Sequence, residues 1–242
     1  FFCLSFKLRR VGSHAFNPTL VCSRLYSSVA KQLCVVGFCG ERMSGRKEAA
    51  NLMLDAVRTP IPSRWISQQS VKHFPSMLHA MKNGMDELED FETYSNKHEN
   101  EIFALATQER DTYPTIWIES CYRKILEDFQ ASGNEKGVCF IPDVEHNAEW
   151  EFLHAKHGGE EVVDQENIKL KTYLVRIHSN KAIRSARGWQ SDPQEIIRSE
   201  DEWESFSHLW EFEFLNETND QYFYRITLQP LATLISKFFR EM

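Results

Sequence analysis

Residues 1–40 contain no aspartate or glutamate, and the chain has no methionine before Met43. No apolar run approaches the roughly 20 residues that a bilayer-spanning helix needs, so a soluble protein with no membrane partner is expected. There is no Cys-x-x-Cys pair, and the six cysteines (Cys3, Cys22, Cys34, Cys39, Cys121, Cys139) show no zinc-type spacing with the nine histidines. That argues against a zinc-ribbon or disulfide scaffold and offers no metal-ligand set. Cys34, Cys39 and Cys139 fall in apolar runs and read as small core residues in a reducing compartment. No internal repeat is visible, which excludes a solenoid. A basic surplus is missing as well. Five of the 28 Lys and Arg residues (Lys7, Arg9, Arg10, Arg24, Lys31) lie in residues 1–40, leaving 23 against 35 acids, net −12, in the remainder. So acidic a body is a poor partner for nucleic acid. Any phosphate must be met in a local basic pocket.

What is present suits one α/β domain. The chain has 242 residues, 12% aromatic and 26% charged, which is globular composition with length enough for a sizeable core. The stretch Leu33–Val57 organises the rest. An apolar run, Leu33 to Cys39, ends in a glycine-bearing turn, Gly40 to Gly45, and a helical pattern follows with Ala50, Met53, Leu54 and Val57 apolar. Backbone N–H groups of a strand–loop–helix junction converge at the positive end of the helix dipole and make an anion site. The loop nearly fits G-x-x-x-x-G-K-[ST]. Gly40 and Gly45 have the spacing, but Arg46 stands where the phosphate-clamping lysine belongs and Lys47 where a magnesium-directed hydroxyl belongs.

Residues 1–31, rich in Arg and Ser and containing Arg24-Leu-Tyr-Ser-Ser28, read as a tail with the character of a mitochondrial presequence. A missing start, or leading residues from translated non-coding sequence, accounts for them equally. Residues 32–242 form the expected domain. Thr59-Pro-Ile-Pro-Ser63 breaks the chain. Residues 65–91 give mixed helical signals, with Met77, Met81 and Met85 expected in the core or a groove wall. Asp86 to Asp90 reads as a solvated face. A helix is expected from Tyr94 to Glu109 and another from Pro114 to Gly133, with Trp117, Cys121, Ile125 and Phe129 buried. Gly137 to Asp143 reads as a second buried strand ending in a carboxylate, placed either beside the phosphate loop or as a helix cap. Glu149 to His157 is helical and Lys169 to Ile177 a third strand. Arg184 and Arg187, one helical turn apart, begin a polar segment. It reads either as a salt-bridged surface or as a mobile lid, about residues 179–206, whose arginines close over transferring phosphoryl groups. His208 to Leu215 is strand-like and Tyr222 to Phe239 helical. Alternating strands and helices predict a parallel sheet with helices on both faces and Leu33–Cys39 central.

These pieces resemble the animal-type phosphomevalonate kinases, a branch of the P-loop nucleoside monophosphate kinase fold. The loop is similar in Gly40, Ser44 and Gly45. The family's interval from Thr-Tyr to Asp-Pro, with an arginine four residues before the proline, is matched by Thr93-Tyr94, Arg110 and Pro114. Its strand-end Asp followed by an aromatic helix is similar to Asp143, Phe152 and Gly158. Its lid, Arg-x-x-Arg-Gly-Trp, is matched by Arg184, Arg187, Gly188 and Trp189, with Ser199-Glu200 and Asn216 beyond. The resemblance implies transfer of the γ-phosphoryl of ATP, with Mg2+, to (R)-5-phosphomevalonate, in a cytoplasmic monomer acting toward isoprenoids and sterols. By position, Gly40, Glu41, Arg42, Ser44, Gly45, Arg46 and Lys47 would cradle ATP. Arg46, Arg184 and Arg187 would act in catalysis, and Arg110, Asp143 and Arg187 would hold the acceptor. This chain departs from the family at Glu145-His146, where the family has Arg-Arg. It departs again at Glu41-Arg42-Met43 in place of Lys-Arg-Lys, and at Arg46-Lys47 in place of Lys-Asp. Those departures leave a second expectation open: a catalytically degenerate member that binds nucleotide or regulates.

Overall fold

The structure is a computed structural model that describes residues 31–58, 64–85, 89–157, 160–163, 166–190, 200–217 and 225–240. The segment before Lys31, the Thr59–Ser63 break, Gly158-Gly159 and residues 191–199 of the expected lid therefore lie outside the described residues.

The apolar run after Lys31 forms the central strand β1 (Lys31–Cys39), buried along almost its whole length. It pairs in parallel with β3 (Lys136–Ile141) on one edge, from Gln32↔Lys136 to Gly37↔Ile141. On the other edge lies β5 (Glu166–His178), paired from Lys31↔Ile168 to Cys39↔Arg176. Outside β3 is β2 (Trp65–Gln68), and β6 (Phe212–Leu215) runs along the end of β5, both parallel. The expected parallel sheet with β1 at its centre is therefore found. One addition was not foreseen: β4 (Glu160–Val163) pairs antiparallel with the start of β5.

Side chains alternate across β1 and divide the core in two. Cys34, Val36 and Phe38 face α1 (Arg46–Arg58) and a C-terminal helix, Gln229–Phe238, while Leu33, Val35 and Cys39 face the opposite layer. That layer is built from α2 (His73–Asn83), α4 (Glu99–Thr112), α5 (Ile116–Ala131) and α6 (Asn147–Ala155). Burial of Leu52, Met53 and Val57, about 1.5–3 kcal/mol each, holds the 13-residue α1, which is too short to stand alone. The four cysteines Cys34, Cys39, Cys121 and Cys139 are buried, as expected, and form no disulfide among the described residues. No helix among the described residues is long and apolar enough to cross a membrane.

Three expectations change. Helix Tyr94–Glu109 is two helices, α3 (Phe91–Lys97) and α4, that meet at His98, whose φ/ψ of −107°/21° leaves the helical range. Met77, Met81 and Met85 are exposed, because α2 buries the side carrying Phe74 and His79 instead. Trp203, within the expected lid, is fully buried on α8 (Glu200–Ser205), where it stacks on Trp150 at 5.1 Å beside Trp210 and Phe206. A segment anchored in this way cannot swing as a whole without exposing a large aromatic surface. The helix bearing Arg184 is short, α7 (Lys181–Ala186), capped by Asn180.

Candidate functional site: a cleft at the carboxyl ends of β1 and β3

The connection after β1 runs to α1 on one face of the sheet, and that after β3 runs to α6 on the other. Crossovers leaving adjacent parallel strands toward opposite faces open a crevice at the strands' carboxyl ends, where α/β proteins bind ligands. The glycine-bearing loop lies there. Gly40 has φ +139°, and a Cβ on it would sit 2.1 Å from the carbonyl oxygen of Ile177, so conformation and space both require glycine. Met43 is left-handed at φ 62° and Gly45 at φ 102°, so the chain coils tightly before α1 begins at Arg46. Ser44 is fully buried, and its Oγ has no hydrogen-bond partner among the described residues.

A cleft of ≈ 410 Å³ adjoins this loop, with Gly40, Glu41, Arg42 and Arg46 on one side. Lys72, Pro75 and Ser76 come from the start of α2, Ile102, Phe103, Ala106 and Arg110 from α4, and Glu145 and His146 from the turn after β3. Arg46 donates from Nη2 to Glu145 Oε1 at 2.8 Å, and Lys72 Nζ lies 3.0 Å from the same oxygen. Burial alone would raise the Glu145 carboxyl. The charges and hydrogen bonds of Arg46 and Lys72 outweigh it and pull the carboxyl down to about 2. Arg110 donates to Glu149 Oε1 at 3.2 Å, and Glu149 Oε2 accepts from the backbone N–H groups of Glu145 and His146 at 3.0 and 3.2 Å. Burial holds Glu149 above the usual carboxylate range despite Arg110. Arg46 Nη1 and Arg110 Nε are buried donors with no acceptor among the described residues.

Gly40, Glu41, Arg42, Arg46 and Arg110 thus line one cleft, while Ser44, Gly45 and Lys47 belong to the same loop and helix start without lining it. Asp143 sits just behind. It accepts from Ser70 Oγ at 2.6 Å and from the N–H groups of Val71 and Lys72 at 3.0 Å each, and so fixes the entry to α2. Of the two roles left open for Asp143, these bonds carry the second, since it ties down a helix start, that of α2. Arg187 is placed elsewhere. Its guanidinium donates to the carbonyls of Met43 and Ser44 at 3.2 and 3.3 Å, to Ser179 Oγ at 3.3 Å, and to Asn216 Oδ1 at 3.1 Å. Asn216 Nδ2 also donates to Ser44 O at 2.8 Å. Arg187 therefore braces the loop from outside the cleft, and Arg184 lies over the ring of Trp189 at 4.8 Å, also outside it.

Sequence reasoning missed Lys72, Glu149 and Arg176. Arg176 is buried at the end of β5, with Glu213 at 2.7 Å, Glu41 at 3.8 Å and the ring of Trp203 at 4.5 Å. Glu41, which also meets His178 Nδ1 at 3.3 Å, is thereby held by two side chains of the strand beside the loop. Glu149 had a signal, since it stands three residues after His146 in a capping-box position. Lys72 and Arg176 had none, because only the fold brings them to the loop.

No family model matches the chain, and no curated protein matches it. The phosphomevalonate kinase resemblance therefore rests on the motif residues alone.

Proposed function

We propose that the chain is an ATP-dependent phosphotransferase whose acceptor is (R)-5-phosphomevalonate, the activity of the family it resembles. One observation carries this reading: Arg42, Arg46, Lys72 and Arg110, from three separate elements, line one cleft with the glycine-bearing loop at the carboxyl ends of β1 and β3. Phosphoryl transfer asks little covalent chemistry of a protein and much positioning of anionic oxygens. In this reading the loop, the N-terminus of α1 and Arg46 hold the ATP phosphates, and Arg110 holds the acceptor. Ile102, Phe103 and Ala106 cover its carbon chain and keep water out. A phosphate oxygen of the acceptor attacks the γ-phosphorus. A new P–O bond forms, the bond to the β-phosphate oxygen breaks, and ADP leaves. Four free, buried cysteines accord with a cytoplasmic protein.

The residues present do not fit a protein-held magnesium ion. Asp143 already accepts three hydrogen bonds, Glu145 is paired with Arg46 and Lys72, Glu41 is held by Arg176 and His178, and Lys47 is a cation. Magnesium would come with the nucleotide and take its oxygens and water as ligands.

A second reading, nucleotide binding without transfer, is favoured by the Arg46–Glu145 pair, which places a carboxylate where a phosphate would lie. A coupled ADP-release assay with phosphomevalonate and a panel of nucleoside monophosphates separates them. ADP release with phosphomevalonate alone is the expected result. ATP binding without release would select the second reading, and no ATP binding would overturn both.

A further inference from the structure

Away from the cleft, where α2 meets the junction of α3 and α4, two imidazoles and one carboxylate converge. Glu101 Oε2 lies 3.2 Å from His79 Nε2 and 2.9 Å from His98 Nδ1, and the three ligand atoms all lie within 4.8 Å of one another. His98 occupies the break between α3 and α4, and Glu101 stands one helical turn into α4, so both point to one spot. His79 reaches it from α2.

We infer that His79, His98 and Glu101 form a binding site for a zinc-type divalent cation. Two imidazole nitrogens and one carboxylate oxygen are the ligand set of an open, four-coordinate zinc site, with a fourth position left for water. Bonds of about 2.0–2.1 Å in tetrahedral geometry hold ligand atoms about 3.3 Å apart. The two histidine–carboxylate separations, 2.9 and 3.2 Å, need to open by only a few tenths of an ångström, and the two imidazole nitrogens lie within 4.8 Å of each other. The outer contacts fit as well. His79 is buried, and its other nitrogen, Nδ1, lies 2.9 Å from the Tyr94 hydroxyl. When that hydroxyl accepts from Nδ1–H, the Nε2 lone pair is directed at the site; a second hydrogen bond of this kind orients most metal-bound histidines. Without metal the roles reverse: Tyr94 donates to Nδ1, and Nε2–H donates to Glu101. Metal binding therefore needs neutral imidazoles, so protons compete with the ion. Hard cations such as magnesium or calcium, which take oxygen ligands, are not expected to bind.

The site joins α2 to α4, and these two helices supply Pro75, Ser76, Ile102, Phe103 and Ala106 to the cleft wall. A bound ion would fix their spacing, whatever the cleft binds. No zinc-type spacing shows in the chain because His79 sits on a different helix from His98 and Glu101, and only helical packing unites them.

The test uses the full-length chain, stripped of metal and titrated with Zn2+ and, separately, Co2+. One equivalent should bind, giving visible Co2+ bands of tetrahedral intensity without thiolate charge-transfer absorption, which separates this site from the cysteines. Glu101→Gln, at an exposed position, and His98→Ala should each weaken binding by at least tenfold and abolish the rise in Tm that stoichiometric Zn2+ gives the parent. Buried His79 is left intact, so folding is not at risk. Equal Zn2+ affinity in parent and both variants, or no stoichiometric binding in the parent, would overturn the assignment.

Discussion

Arg46 and Arg110, which line the cleft, differ from Arg187, which braces the loop from outside, in what holds their guanidiniums. Arg187 donates to three backbone carbonyls, a hydroxyl and a side-chain amide oxygen. None of those acceptors can leave without unmaking the loop. Arg46 and Arg110 each hold a glutamate carboxylate and keep a buried N–H with no acceptor among the described residues. A guanidinium grips phosphate with the same fork that it offers a carboxylate. The comparison teaches that one residue type serves as framework when backbone surrounds it and as an exchangeable anion holder when a carboxylate does.

The largest expected effect tests the exchangeable side. If the proposed transfer to phosphomevalonate is right, Arg46→Ala should cut its rate by roughly 10³-fold, about 4 kcal/mol. Its urea midpoint should fall far less than that loss implies. An unchanged rate would remove Arg46 from the site.

Next comes acid stability. The folded-state pKa of Glu145 lies near 2, below its ordinary 4.5, so its stabilisation is complete above about pH 5 and is lost as pH falls toward 2. That contribution is on the order of 3 kcal/mol. Glu149 works the other way: its pKa is raised, so protonating it on acidification favours the fold and offsets the early part of the loss. Unfolding free energy measured against pH should show the drop in the parent and a flatter acid limb in Glu145→Gln. Parallel curves would mean that the pair with Arg46 is not made in solution.

Arg187→Ala sharpens the comparison from the framework side. It should lower unfolding free energy by about 2 kcal/mol, since charged hydrogen bonds to buried groups are lost, and weaken ATP binding together with the rate. The lid role implied by the resemblance predicts instead a lower rate with ATP affinity and urea midpoint unchanged. Arg187→Lys should restore little, because a single ammonium cannot reach all five acceptors.

The smallest effect concerns magnesium. With no uncommitted carboxylate at the loop among the described residues, the ATP affinity expected under the proposed function should differ by less than tenfold, ~1.4 kcal/mol, with and without magnesium. Calorimetric titration under both conditions decides it.

Much of the sheet could be read from the chain. Leu33–Cys39 and Gly137–Ile141 are buried on both faces and so appear as continuous apolar runs. Four-residue β2 could not, because Trp65–Gln68 lies half-buried at an edge and becomes a strand only by pairing with β3. The loop was legible through Gly40 and Gly45, whose left-handed φ values no other residue adopts readily. Residues of the cleft that arrive from elsewhere were not. Lys72 looks like an ordinary surface charge until the fold brings the start of α2 to the ends of β1 and β3. Trp203 lay in a polar stretch, and its burial depends on a partner, Trp150, contributed by a distant helix.

The outer edge of β5 carries a lesson for how this molecule meets copies of itself. β4 covers residues 166–169 and β6 covers 175–178, and the stretch between them pairs with no further strand on that edge among the described residues. Side chains fill it: Glu211 accepts from the N–H of Leu174, and His157, itself approached by Lys171, donates to the carbonyl of Thr172. An intruding strand from another chain would find these groups already taken and would have to displace a carboxylate and an imidazole to reach them. Plugging of this kind discourages edge-to-edge polymerisation when the protein is crowded, at a place where neither a full strand nor a proline guards the sheet.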